Sequence, residues 1–577
     1  LRNPLIQDSR LYGKALVSDV WAFKGDGTNS ASNYWRPVFT ALSIAEYRAF
    51  GPNPFGWHLV NVILHVTICS AVFCLLMLWG CGRYGSLLMT LVFAVHPVHS
   101  ESVAWVAGSP DLLFGLMTVL SLIFFERAMT KGRLSTELFA SIVCYLFALG
   151  SKETAFFCLP IFFLMALLRD DGRTFKFLSV IPFAAAAIVY FVARWSVIGA
   201  ISRPMDDQTG FTAGIISAPE VFVFYLKQIF FPLTLGENYP LRPVSDIGMA
   251  NFVLPLIVSL AAVGGCVLVA LRDRIAAFGL AIFLLPIVPV LYVGTFPTDQ
   301  IVHDRYLYLP LLGVLVLTFR ILLLSSVFDK KTLHKPLAAV VAVIVVVLSV
   351  RSMTYNPVWG SDLALWSHNV EIDRNSSLSF TNLGAELSAR KNYRAALAAY
   401  DRAVEIKPTA LGMMGRGRTY ISLGDTQKAI ADLNRVISLK NEDVNAYTLY
   451  QAYESYAVAQ QAASDLAEAE RSLREGRKRL PIYAASLTEK LAVVLYLESK
   501  KNDALIELES VRQQAAREMT PEAASVFLRL GLLYAEAGKS DYASRDLNTY
   551  LQATANAADA DIIADRKMAD TTLRSLK

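Results

Sequence analysis

Two hydrophobic rhythms share this chain, and they change over near residue 351. Before that point long apolar runs recur with short charged breaks. After it the chain is Ala-rich, charged and helical, with a repeat of roughly 33–34 residues. Ten runs read as membrane spans: about 57–79, 85–97, 104–125, 136–150, 153–168, 175–195, 251–271, 275–294, 306–326 and 336–350. A perpendicular span needs about 20 residues, so the second, fourth and fifth are short. Short spans are tolerated where neighbours shield them or the bilayer thins. A further apolar segment, 218–232, is about 15 residues long and carries Glu220, Lys227 and Gln228. It reads as an amphipathic helix in the interface. The alternative, a span, would invert every later segment.

The charged breaks orient the runs. Arg83 and the clusters at 126–133, 169–173, 272–274 and 329–335 fall on alternate loops, which makes those loops cytoplasmic by the positive-inside rule. The opening loop, the HPVHSES turn, the SKE turn, the loop 196–250, the HDRY loop and the repeats then face the other side. The expected domains are a first extracytoplasmic loop at 1–56, a membrane domain at 57–350, a linker at 351–375 and a repeat domain at 376–577. The chain opens in mid-loop on Leu1, and the first loop is expected to lack its N-terminal part.

Within 377–408, N-L-G-x-x-L is followed by N-Y-R-A-A, Y-D-R-A and a closing Pro408. Gly384, Ala396 and Ala403 stand where two antiparallel helices approach, with Leu383, Leu387 and Tyr400 filling between them. This is the tetratricopeptide pattern. A second copy starts near 410 (Gly417, Tyr420, Gly424, Ala429, Leu433) and a later one near 524 (Leu530, Gly531, Tyr534, Gly538, Ala543, Leu547). The stretch 445–518 is helical but degenerate and reads as two further helix pairs. Such repeats stack into a solenoid that binds polypeptides. The fold class is therefore all-α, a polytopic transmembrane bundle followed by a soluble α-solenoid.

Composition agrees. Hydrophobic residues make up 54% of the 577 positions, too many for an ordinary soluble protein. The net charge of +5 calls for no nucleic acid. The six cysteines lie in or beside apolar segments at irregular spacing, which gives neither a disulfide framework nor a zinc site.

Chemistry gathers on the outward turns. His96-Pro97-Val98-His99-Ser100-Glu101 follows a short span, with Asp111 ten residues beyond Glu101. Lys152-Glu153 occupies a second outer turn and His303-Asp304-Arg305-Tyr306 a third, with Arg36 in the opening loop and His58 nearby. Ionisable residues beside apolar segments suggest a site. Acids with bases at one face suit transfer from a phosphate-bearing lipid: a carboxylate deprotonates the acceptor and a cation steadies the leaving phosphate. The structural alternatives are a helix cap for Glu101, an early-turn charge for Asp111 and a local ion pair for Asp304-Arg305. A metal site at His96, His99 and Glu101 is a weaker alternative. No Walker loop, dinucleotide fingerprint or serine-hydrolase elbow is present.

YWRP (34–37), FGWHLVNVILH (55–65), FAVHPVHSESVAWVAG (93–108), SKET (151–154) and DRYLYLP (304–310), followed by the repeats, form a distinctive order. It resembles the transmembrane and tetratricopeptide-repeat O-mannosyltransferases and their bacterial relatives, along essentially the whole chain. The resemblance implies a GT-C type glycosyltransferase using a polyprenyl- or dolichyl-phosphate sugar, a mannose or other hexose. Acceptors would be Ser or Thr hydroxyls of polypeptides held by the repeats. No cofactor is implied, and a divalent metal stays open. Residues and resemblance together give Glu101, Asp111 and His99 as the expected catalytic residues and Arg305, Lys152 and Arg36 as the expected donor-phosphate ligands. His58, His96, Glu153, Asp304 and Tyr306 would line the cavity. Two departures stand out. The family's acidic pair precedes its NP element, here Asn3-Pro4, so the base it implies falls ahead of Leu1, and Asp8 is a poor substitute. Ser109-Pro110 replaces a basic residue common before the Asp111 position. A bacterial inner membrane with periplasmic repeats is expected; the alternative is the endoplasmic reticulum with lumenal repeats. The competing functions are a non-enzymatic membrane scaffold and, more weakly, a transporter, for which inverted repeats would be the mark.

Overall fold

A computed structural model describes residues 3–22, 32–131, 135–169, 173–200, 209–324, 334–441, 444–518, 520–555, 557 and 560–576. Two compact units result, 1–376 and 377–577. The described residues of both are helical.

Each apolar run of the first unit forms a helix. Six helical stretches are long and apolar enough to cross a membrane: Pro54–Leu78, Val106–Lys131, Leu178–Ile198, Phe211–Phe230, Met249–Ala270 and Pro336–Gly360. The pair Gly82–Val95 and Pro97–Ala104, bent by 52°, makes a broken span. Thr136–Ser151, Glu153–Leu167, Arg274–Leu284 and Pro310–Leu324 are shorter apolar helices. The core lies between them, with Leu75, Phe93, Leu122, Phe162 and Leu312 almost wholly enclosed. The helix His334–Tyr355 instead exposes Val340, Val343, Val346, Val347 and Val350. A side chain of that kind costs about 1.5–3 kcal/mol to leave in water, so this face is built for lipid.

The charged turns sort to two ends. At one, Arg320 Nε donates to Asp273 Oδ1 at 2.9 Å, Phe319 lies against Gly85, and Arg169 pairs with Glu126 at 2.8 Å. At the other, about 20 Å along the helix Gly82–Val95, lie His96, Glu101, Lys152 and Asp304. The clusters at 126–133 and 169–173 fall partly outside the described residues, and 329–335 almost wholly.

The segment around 218–232 is longer than the sequence suggested, because helices Phe211–Ile216 and Ala218–Phe230 join into a 20-residue stretch. Its length alone would let it cross, and each of its ends packs on a turn of another element. Gly214 packs on Gly294, which follows a helix, Val288–Leu291, set beside Glu153–Cys158. The carbonyl of Ile229 accepts a hydrogen bond from His96.

The second unit consists of helix pairs: Ser377–Ala389 with Tyr393–Ile406, Ala410–Leu423 with Thr426–Ile437, Ala446–Ala462 with Leu466–Arg479, Ala484–Leu497 with Lys501–Glu518, and Pro521–Glu536 with Ser540–Ala553. A last helix, Ala560–Ser575, follows. The stretch 445–518 thus holds two pairs, as expected. Each pair turns through one residue in the left-handed region: Lys391 (φ 61°), Gly424 (82°), Ser464 (63°), Ser499 (64°) and Gly538 (71°). Serine where glycine serves best is one reason the middle pairs look degenerate in sequence.

Candidate functional site

The first functional turn is built by an asparagine. Asn61 Nδ2 donates to the carbonyls of Trp105 (2.9 Å) and Val103 (3.4 Å), while Ser109 Oγ donates to Asn61 Oδ1 at 2.8 Å. This closes the bend between the short helix Ser100–Ala104, which carries Glu101, and the helix Ser109–Lys131, which carries Asp111. Gly108 is required here, because a Cβ would meet the Ser102 carbonyl at 2.4 Å.

Into this bend comes the 304–307 turn. The backbone N–H of Arg305 donates to Glu101 Oε2 at 2.9 Å, and its guanidinium pairs with Glu101 Oε1. The Glu101 side chain is 1% exposed and that of Arg305 18% exposed, so the acid is buried behind the cation it holds. Arg305 also lies 5.3 Å from the Trp105 ring and 5.2 Å from that of Tyr306. Lys152 pairs with Asp111 and sits 4.9 Å from the Tyr306 ring. Arg36 Nε and Nη2 donate to the two oxygens of Glu153 at 3.1 and 2.8 Å. Arg36, Lys152, Glu153, Glu101, Asp111, Arg305 and Tyr306 therefore form one buried charge cluster at the site end. In low dielectric such pairs hold their geometry firmly.

Asp304 points elsewhere. Gln228 Nε2 donates to its Oδ1 at 2.8 Å and Tyr239 O–H to its Oδ2. Burial, with Glu101 nearby, pushes its carboxyl up to about 8. His303 Nδ1 donates to the Glu237 carbonyl at 3.1 Å and lies 3.8 Å from Glu101 Oε1. Burial, with Arg305 beside it, holds this imidazole well below its usual value.

His96 and His99 belong to a layer beneath the charges. His96 Nε2 bonds the Ile229 carbonyl at 2.9 Å. His99 is packed between Phe93 (4.5 Å between centroids) and Tyr308 (4.3 Å), and neither ring nitrogen has a hydrogen-bond partner. His65 bonds the Tyr308 hydroxyl at 2.6 Å. His58 is half-buried on the helix Pro54–Leu78 and makes no described bond to the cluster. Among the described residues, no group of three His, Cys, Asp or Glu could hold a metal ion.

Sequence reasoning missed Gln228, Glu237, Tyr239 and Gln300. All sit in or next to irregular loops where no periodicity marks them. The only signal was an acid and an aromatic framed by prolines, Pro232 to Pro240. Beyond them, Asn369 Oδ1 accepts from the Glu237 N–H (3.1 Å), His368 bonds the Leu235 carbonyl (2.8 Å), and Arg242 pairs with Asp373 (2.7 Å). The helix Asp362–Ile372 is thereby fastened to the loop that reaches Asp304.

A tetratricopeptide repeat family model matches residues 412–443. The mouse protein O-mannosyl-transferase TMTC4 is 25% identical over 464 residues, 69% of this chain and 62% of that protein. Human protein O-mannosyl-transferase TMTC3 is 22% identical over 71% of this chain and 49% of its own length. Drosophila melanogaster protein O-mannosyl-transferase Tmtc1 is 32% identical over 173 residues. The chain is similar to proteins named protein O-mannosyl-transferase in mouse, human and fly. It spans 62% of the length of the mouse relative. Among solved structures, YrrB, described as a TPR protein with an unusual peptide-binding site, is 18% identical. It covers 35% of this chain and 97% of its own, at a TM-score of 0.24. The 464-residue alignment is longer than the second unit, so it takes in part of the first as well.

Proposed function

We propose that this chain is a membrane glycosyltransferase of GT-C type. It moves a hexose, mannose by its relatives' names, from a polyprenyl or dolichyl phosphate to Ser or Thr hydroxyls of polypeptides outside the cytoplasm. The observation that carries the reading is the paired cluster Glu101–Arg305 and Lys152–Asp111 around Tyr306. Two cations oriented by buried acids are suited to a leaving phosphate, since their charge meets the oxygen as it becomes negative. Glu101 and Asp111 act in this arrangement by aiming Arg305 and Lys152. Arg36, fixed by Glu153, adds a third positive charge.

An apolar groove of 610 Å³ is lined by Phe156, Leu159, Ile188, Phe191, Val192 and Trp195. Its chemistry suits a polyprenyl tail. The last apolar helix ends at the site side, where Ser352 Oγ bonds the Val95 carbonyl at 2.8 Å. In this reading the repeats are extracytoplasmic, periplasmic in a bacterial inner membrane or lumenal in the endoplasmic reticulum.

The scaffold reading draws on one observation, that the cluster's ion pairs are closed on themselves. Glycopeptide mass spectrometry on envelope and secreted proteins, from cells with and without the gene, separates the two. Loss of hexose from defined Ser or Thr residues supports the transferase. An unchanged glycoproteome, with the repeats still capturing partners, supports the scaffold.

A further inference from the structure

We propose that Tyr239 is a positioning residue for Arg305, acting through Asp304, an assignment that rests on the transferase reading above. Tyr239 lies in the irregular loop after the helix Ala218–Phe230 and is buried, its ring edge-on to Phe224 at 4.7 Å between centroids. Its hydroxyl oxygen accepts from the Gly236 N–H at 2.9 Å and from Gln228 Nε2 at 2.7 Å. Both of those groups are donors, so neither can take the hydroxyl proton. It goes to Asp304 Oδ2, while Gln228 Nε2 donates to Asp304 Oδ1 at 2.8 Å. The buried carboxyl of Asp304 is thus fixed at both oxygens.

The leverage on Arg305 comes from the backbone. Residues 304 and 305 share one planar peptide, and its N–H donates to Glu101 Oε2 at 2.9 Å. Asp304 anchors this peptide to the loop, and Glu101 anchors it to the charge cluster. The guanidinium that pairs with Glu101 Oε1 therefore starts from a backbone held from two directions, with 18% of the Arg305 side chain left exposed. Without the Tyr239 hydroxyl, Asp304 keeps Gln228 alone and the turn is held mainly from the side of Glu101.

The loop gives Tyr239 a firm seat. His303 Nδ1 donates to the Glu237 carbonyl and the Glu237 N–H to Asn369 Oδ1, each at 3.1 Å. His368 Nε2 bonds the Leu235 carbonyl at 2.8 Å, and Asn238 Nδ2 donates to Ser376 Oγ at 3.1 Å. A Cβ on Gly236 would meet Ile372 at 2.6 Å, so the backbone that supplies the Gly236 N–H runs directly against the helix Asp362–Ile372.

The test is a double-mutant cycle read in kcat, on the full chain in detergent with polyprenyl phosphate mannose and a Ser/Thr-rich peptide. Tyr239→Phe should lower kcat about 10-fold, the effect of one well-made hydrogen bond. KM for the lipid should change less than about 2-fold, because Arg305 acts on the phosphate as it leaves. In an Asp304→Ala background the same substitution should cost less than about 2-fold, since the route to Arg305 is already cut. Asp304→Asn keeps an oxygen for the Tyr239 proton and should retain more of the rate than Asp304→Ala. Hydrogen exchange gives a readout that needs no sugar donor and carries the test should Asp304→Ala fail to fold. The peptide containing the Arg305 N–H should exchange about 10-fold faster in Tyr239→Phe than in the unsubstituted chain. Wild-type kcat in Tyr239→Phe, equal losses with and without Asp304, or unchanged exchange at Arg305 would each overturn the assignment. No transfer by the unsubstituted chain would instead remove the transferase reading on which the assignment rests.

Discussion

Arg305 is gripped twice by Glu101, its backbone N–H on one carboxylate oxygen and its guanidinium on the other, across 204 positions of sequence. The grip fixes both the turn that carries Arg305 and the direction of its side chain. Arg305→Ala should cost about 3–5 kcal/mol of stability, because the 1%-exposed Glu101 is left buried without its counter-charge. Glu101→Gln/Arg305→Met should regain most of that loss while remaining inactive. Thermal unfolding of the variants in one detergent, beside a transfer assay, checks both statements.

Asp304 gives a pH prediction of definite sign. Its folded-state carboxyl is raised from 3.8 to about 8. The acid therefore favours folding fully below about pH 4, and that advantage is lost as pH rises through about 8. Asp304→Asn removes the titration but keeps the shape, so its midpoint should fall less than the wild type's between those limits. Parallel slopes of midpoint against pH would rule this out.

The left-handed serines bear on the repeats alone. Ser464 and Ser499 stand at φ 63° and 64°, where Gly424 and Gly538 occupy the equivalent turns. Ser499→Gly should raise the stability of the second unit by about 1 kcal/mol, since a non-glycine residue there costs on the order of 1–2 kcal/mol. Denaturant unfolding with an unchanged m-value would show it. A lower midpoint would mean that the turn is not strained.

The interfacial reading of the segment 211–230 can be tested by labelling. Cysteines introduced at Ser245 and at Arg272 should react with an impermeant maleimide from opposite sides of sealed vesicles, and cysteines at Gly210 and Ser245 from the same side. Labelling of Gly210→Cys and Ser245→Cys from opposite sides would make the segment a span.

Much of the fold was legible in sequence because lipid imposes a simple rule on the outer faces. The helix His334–Tyr355 could be read directly, since Val340, Val343, Val346, Val347 and Val350 face out. The helix pairs of 377–437 were legible through small residues such as Gly384, which lies against Tyr400, and Gly417, which lies against Leu433. The middle pairs were harder to place, because their turns use Ser464 and Ser499. Of the site, the charged residues were individually visible as misplaced polarity beside apolar runs. Their pairing was not: Arg36 meets Glu153 over 117 positions and Glu101 meets Arg305 over 204, distances at which no local pattern operates. His99 looked like chemistry and is packed among aromatic rings, while Tyr239 looked like loop and bonds Asp304.

The central claim is that this cluster transfers a sugar from a lipid phosphate, and reconstituted transfer tests it most directly. The full chain in liposomes, given polyprenyl phosphate mannose and a Ser/Thr-rich peptide, should yield O-mannosylated peptide by mass spectrometry. Arg305→Ala, still folded, should yield little or none. Equal product from both proteins, or none from the unsubstituted chain, would contradict the account.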